Sequence, residues 1–77
     1  KENLMSEAKT IDARGLSCPE PAMLTREALL LMTNGKLVIL SDSFTSRTNV
    51  ERTGKLLGWA AEVNQDASGT YHITLTK

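Results

Sequence analysis

The chain contains one cysteine, Cys18, inside the run Gly15-Leu16-Ser17-Cys18-Pro19-Glu20-Pro21 and directly ahead of a long apolar-periodic segment. A thiol at the start of a helix meets unpaired backbone N–H groups and the positive end of the helix dipole. Both favour the thiolate, the form that reacts. An exposed helix terminus is worth roughly 0.3–1 kcal/mol to an anion, whereas one pKa unit needs about 1.4 kcal/mol. The position therefore primes the sulfur without making it strongly acidic. A persulfide is intrinsically more acidic than a thiol, so the same place holds Cys–S–S⁻ better than Cys–S⁻. That favours carrying sulfur over attacking a substrate. With two prolines in the first turn, the N–H groups of Glu20 and Ala22 are the donors expected to face the sulfur. The Glu20 carboxylate opposes ionisation if it turns inward.

Competing chemistries find little support. By composition alone a lone cysteine is most often a small buried hydrophobe. A cysteine hydrolase needs a base and a group to orient it. The one histidine, His72, sits in an alternating strand pattern out of phase with Tyr71, Ile73 and Leu75, which places it on a solvent face. One cysteine excludes a CxxC redox pair and an internal disulfide. A metal site built from one Cys, one His and scattered carboxylates is not expected, nor is any other cofactor.

The elements that must position Cys18 can be read in order. Residues 1–8 read as a disordered leader or as residues foreign to the domain, and Thr10 and Ile11 centre a short strand over Ala8–Ala13. From Pro19 to Met32 the pattern is helical, with Pro21, Leu24, Ala28 and Leu31 on the inner stripe, flanked by Leu29 and Met32. Asn34-Gly35 reads as a left-handed helix C-cap. Lys36–Ser41 is a continuous apolar run that suits a strand buried on both sides. Asp42 and Ser43 supply turn and N-cap chemistry for a second helix from about Thr45 to Leu57, ended by Gly58. In the tail, Trp59, Ala61 and Val63, and then Tyr71, Ile73 and Leu75, alternate with polar neighbours around the turn Ala67-Ser68-Gly69. The order β-α-β-α-β-β implies an α+β fold. It is a two-layer α/β sandwich, a four-stranded mixed sheet with two helices on one face and the other face open or awaiting a partner.

At 77 residues the chain is one small domain. Nine basic residues balance nine acidic ones without blocks of either sign, which argues against direct nucleic-acid binding and against an anionic membrane surface. No apolar run approaches the roughly 20 residues of a membrane span, and Lys1–Ala8 lacks the apolar stretch of a secretory signal. An unpaired cysteine fits a reducing compartment, so a cytoplasmic location is expected. The chain begins with Lys rather than Met, which fits trimming or derivation from a longer protein.

The run Ile11-Asp12-Ala13-Arg14-Gly15-Leu16-Ser17-Cys18-Pro19-Glu20-Pro21 resembles the CPxP signature of the TusA/SirA-like sulfur carriers. The resemblance extends from about Thr10 to Lys77, so residues 9–77 are expected to form a TusA-like sulfur carrier domain. Lys36–Asp42 and Asn49-Val50 carry it more weakly. It implies a β-α-β-α-β-β sandwich and a sulfurtransferase-like relay. Cys18 would accept sulfane sulfur from a cysteine desulfurase or rhodanese-type donor, hold it as a persulfide and hand it to a downstream acceptor protein. Pro19, Glu20 and Pro21 would then shape the helix start, with Glu20 and Arg14 as site-lining or docking residues. The branch of the family that feeds tRNA thiolation often has a basic residue before the cysteine, where this chain has Ser17. The form Asp-Ala-Arg-Gly-Leu-Ser-Cys-Pro is closer to the N-terminal domain of YedF-type proteins, which are linked to selenium metabolism and carry a second, DsrE-like domain.

A sulfur carrier working through Cys18 is thus the leading reading. The alternatives are a docking module in which Cys18 is incidental, and a selenium or redox role within a larger protein. Arg47, Arg52 and Lys55 line the second helix and read either as a solvated face or as a basic docking surface for an acidic donor. Trp59, Met23 and Met32 read as packing residues and Asp42 as a turn or cap whose replacement costs stability before transfer.

Overall fold

In the computed structural model, residues 8–17 and 19–77 are described, so the expected leader lies, but for Ala8, outside the described residues. Strand β1 (Ala8–Asp12) leads to helix α1 (Glu20–Leu31), and strand β2 (Lys36–Ser41) leads to helix α2 (Phe44–Leu56). Strands β3 (Ala60–Gln65) and β4 (Tyr71–Thr76) form the closing hairpin. The sheet order is β1-β2-β4-β3, with β1 parallel to β2 and the other two pairings antiparallel. This is the expected α+β sandwich on a four-stranded mixed sheet.

The register explains where the core sits. Ile11, Ile39, Ile73 and Val63 lie side by side across all four strands, and Leu37 pairs with Leu75 in the neighbouring row. Side chains two apart on a strand share a face, so these rows meet the helices. Leu37, Ile39, Val50, Ile73 and Leu75 are fully buried, with Ala13, Leu29, Met32 and Trp59 around them. Trp59 and Met32 therefore pack as expected. Val38 and Leu40 point the other way and are only half-buried. The expectation that β2 is covered on both sides is corrected: among the described residues no element covers the second face, and the flanking strands alone screen these two side chains.

The phase of α1 also differs from expectation. Its inner stripe is Pro21, Thr25 and Leu29, continued by the cap residue Met32, while Leu24 is 37% and Leu31 81% exposed. Thr25 can occupy the core because its hydroxyl donates to the Pro21 carbonyl at 2.8 Å. A hydropathy pattern cannot see that the polar atom is satisfied in place. Met23, expected to pack, is 54% exposed.

The end of α1 is likewise revised. Met32 is an extended C-cap (φ −107°, ψ 134°). Gly35, at φ +117°, instead exchanges backbone hydrogen bonds with Lys77 at 3.3 and 3.1 Å, extending the β2–β4 ladder. The extended cap turns the chain into β2 while keeping Met32 in the core. The expected glycine cap does occur on α2: Gly58, at φ +90°, follows the C-cap Leu57. There Trp59 N–H donates to Gly54 C=O and Gly58 N–H to Lys55 C=O, a Schellman pair. At the other end of α2 the Ser43 hydroxyl accepts the Ser46 N–H at 3.3 Å. Ser43→Ala is expected to lower stability by about 1 kcal/mol in urea unfolding.

Candidate functional site

The segment between β1 and α1 carries the cysteine motif, and its described residues are pinned at two points. At the first, Asp12 is gripped by Arg14, which donates to it through Nε (2.9 Å), Nη2 (2.8 Å) and the backbone N–H (3.1 Å). At the second, the Gly15 N–H donates to Asp42 Oδ2 at 3.2 Å, across 27 residues of chain. Gly15 itself sits at φ +81°, a conformation that favours glycine. Asp42 is therefore not the helix cap: Ser43 has that role, and Asp42 ties the β2–α2 corner to the cysteine segment.

Cys18 itself lies outside the described residues. Its chain neighbours Ser17 and Pro19 are both exposed, as is Glu20. Pro19 occupies the N-cap position of α1 with no side-chain cap bond, and Pro21 is the second helical residue, fully buried. The Glu20 N–H donates to the Ser17 carbonyl at 2.9 Å. That bond corrects the expectation that this N–H is free for the sulfur: the turn from Ser17 into the helix uses it.

The four basic candidates are not equivalent. Arg14 is half-exposed but forked onto Asp12. Lys55 and Arg47 flank Glu51, Lys55 at 3.2 Å and Arg47 at 3.9 Å. The Arg47 guanidinium lies over the rings of Phe44 (5.2 Å) and Tyr71 (5.9 Å), which meet edge to face at 6.5 Å. Arg52 is exposed and lines a shallow groove on α2 with Thr48, Glu51, Lys55 and Leu56. The structure thus gathers Arg47, Arg52 and Lys55 on α2, while Arg14 belongs to the cysteine segment.

Sequence reading missed the Phe44–Arg47–Tyr71 stack, although Phe44 and Arg47 have the i,i+3 spacing of helix neighbours. It also missed the Asp42 tether, for which no local signal exists. His72 is on the open face as expected, its Nε2 2.9 Å from Asp66 Oδ2. The other Asp66 oxygen accepts from the Ser68 N–H, the Ser68 hydroxyl and the Thr70 N–H, the pattern of a self-bonded Asp turn. His72 is therefore engaged with the β3–β4 turn. Among the described residues, no group of three His, Cys, Asp or Glu side chains is placed to hold a metal. No described helix is long and apolar enough to cross a membrane.

Two carboxylates are held well below their usual range. The Arg14 side-chain and backbone hydrogen bonds lower Asp12 from 3.8 to about 2. Hydrogen bonds from His72 and Ser68 lower Asp66 further. Groups lowered on folding add stability above their unfolded values and lose it as pH falls toward the folded ones. Stability should therefore drop between about pH 4 and pH 2, and Asp12→Asn should flatten part of that decline in acid titrations followed by circular dichroism. Both pairs are exposed, so added salt should shrink the effect.

The family model described as Sulfurtransferase TusA matches residues 9–77. The chain is also similar to the crystal structure of a SirA-like protein from Desulfitobacterium hafniense, at 28% identity and a TM-score of 0.84. That match covers 88% of this chain and 95% of the other.

Proposed function

From the premise that this chain belongs to the TusA family of sulfur carriers, we propose that Cys18 is its loading site and works as a persulfide relay. The Cys18 thiolate attacks the outer sulfur of a persulfide on the donor. The donor's S–S bond breaks, its own cysteine leaves as thiolate, and a new S–S bond forms on Cys18. Repeating the exchange with an acceptor cysteine empties the site, and neither step needs an external oxidant or reductant. The donor is a cysteine desulfurase or rhodanese-type protein and the acceptor a downstream protein thiol.

The observation that carries this reading is the Cys-Pro-Glu-Pro stretch that leads into α1, with exposed residues on either side of the cysteine. Pro19 and Pro21 fix φ through the first turn, and the Asp12 and Asp42 contacts hold the approach to it. Arg52 and Lys55 on α2 supply positive charge for an acidic donor surface, and Arg14 does so beside the motif. Ser17, ahead of the cysteine where the tRNA-thiolating branch often has a basic residue, supports a second reading within the same family. In it the carrier serves selenium metabolism as one domain of a YedF-type protein.

Incubation with a cysteine desulfurase and cysteine, followed by intact-mass and peptide analysis, tests the relay. A reducible single-sulfur adduct on Cys18 is expected. No adduct with either donor class, or with inorganic polysulfide, would overturn it.

A further inference from the structure

We propose that the outward face of α1 is a self-association surface, and that it takes the same face of a second copy, the two helices antiparallel about a two-fold axis. The inference does not rest on the chemistry of Cys18.

An outer helix face in a soluble domain is ordinarily polar, yet Met23 is 54% and Leu30 58% exposed on α1. They are seven residues apart, two turns and about 10.5 Å along the axis, so they share one stripe. Arg26 and Glu27 lie between them on the same outer side, both exposed. Among the described residues, neither is held in an ion pair. The inner stripe of Pro21, Thr25 and Leu29 faces the opposite way and is already covered.

The order Met23, Arg26, Glu27, Leu30 is complementary to its own reverse. Set antiparallel with the two-fold axis between Arg26 and Glu27, Met23 of each copy meets Leu30 of the other, and Arg26 of each meets Glu27 of the other. Every contact occurs twice, as an isologous interface requires. A parallel pairing would instead oppose Arg26 to Arg26 and Glu27 to Glu27. The match in both size and charge about one midpoint is what selects a second copy over an unrelated partner. A single helix pair buries less than a standard interface of about 1,200–2,000 Å², so the dimer is a weak one that forms only at high protein concentration.

Sedimentation equilibrium of the full chain from about 0.02 to 1 mM tests this, with circular dichroism as the folding control. The native chain is expected to dimerise and Leu30→Asp to be monomeric throughout. Arg26→Glu is expected to weaken association at least about tenfold by opposing two pairs of like charges. The exchange Arg26→Glu with Glu27→Arg should restore it to within about threefold of native. A native chain that stays monomeric at the top of this range overturns the proposal. So does a dimer indifferent to Leu30→Asp, or a charge exchange that fails to restore association.

Discussion

Cys18→Ser is expected to abolish sulfur loading and transfer completely while leaving the fold and the unfolding midpoint nearly unchanged. The chain has no second cysteine to substitute, and a serine hydroxyl cannot hold sulfur as an S–S anion. Among the described residues, the contacts that hold the motif are made by Asp12 with Arg14, Asp42 with Gly15, and Ser17 with Glu20. The informative measurement pairs a loading assay with a donor-binding titration. A relay loses the first and keeps the second. A serine variant that still delivers sulfur from donor to acceptor at the native rate would refute the relay and favour a docking module with an incidental thiol.

Gly54→Val carries the largest stability effect. A Cβ at this position would stand 2.5 Å from Leu75 Cδ2 and 2.9 Å from Cδ1. Leu75 is fully buried, with Leu37 and Ala61 as its strand neighbours, so its side chain can yield only by shifting within a packed core. Replacing a helical glycine with alanine ordinarily gains about 1 kcal/mol, but over-packing here costs about 1–3 kcal/mol. Alanine should therefore come out near neutral to mildly destabilising. Valine, larger and β-branched, should lose about 3 kcal/mol, a large share of the roughly 4–12 kcal/mol typical of a domain this size. The thermal midpoint should fall by more than roughly 10 °C. Leu75→Ala, which opens space under the helix, should cost distinctly less in the Gly54→Val background than in the native chain. Equal costs in both would show that α2 relieves the clash by moving off the sheet.

Much of this arrangement was legible in the residues. The β-α-β-α-β-β order followed from hydrophobic periodicity and from turn residues such as Ser43, Gly58 and Gly69, whose local chemistry the structure retains. Reading failed where satisfaction or distance decided the outcome. Thr25 displaced the more apolar Leu24 from the inner face of α1 because its hydroxyl found the Pro21 carbonyl. Gly35 left its expected helix cap because Lys77, at the far end of the chain, offered a strand partner. The basic residues looked alike in sequence; aromatic rings, Asp12 and Glu51 made them different.

What the amino-acid sequence determined alone is the reactive group and its address: one thiol, ahead of a proline-stiffened helix start, in a chain of balanced charge. These depend on covalent identity and on interactions within a few residues. Tertiary structure alone decided the neighbours of that address: Asp42 joined to Gly15, Arg47 lodged between Phe44 and Tyr71, and an apolar stripe of α1 left facing outward. Contacts between residues far apart in the chain depend on how the layers pack, and no local pattern encodes that packing.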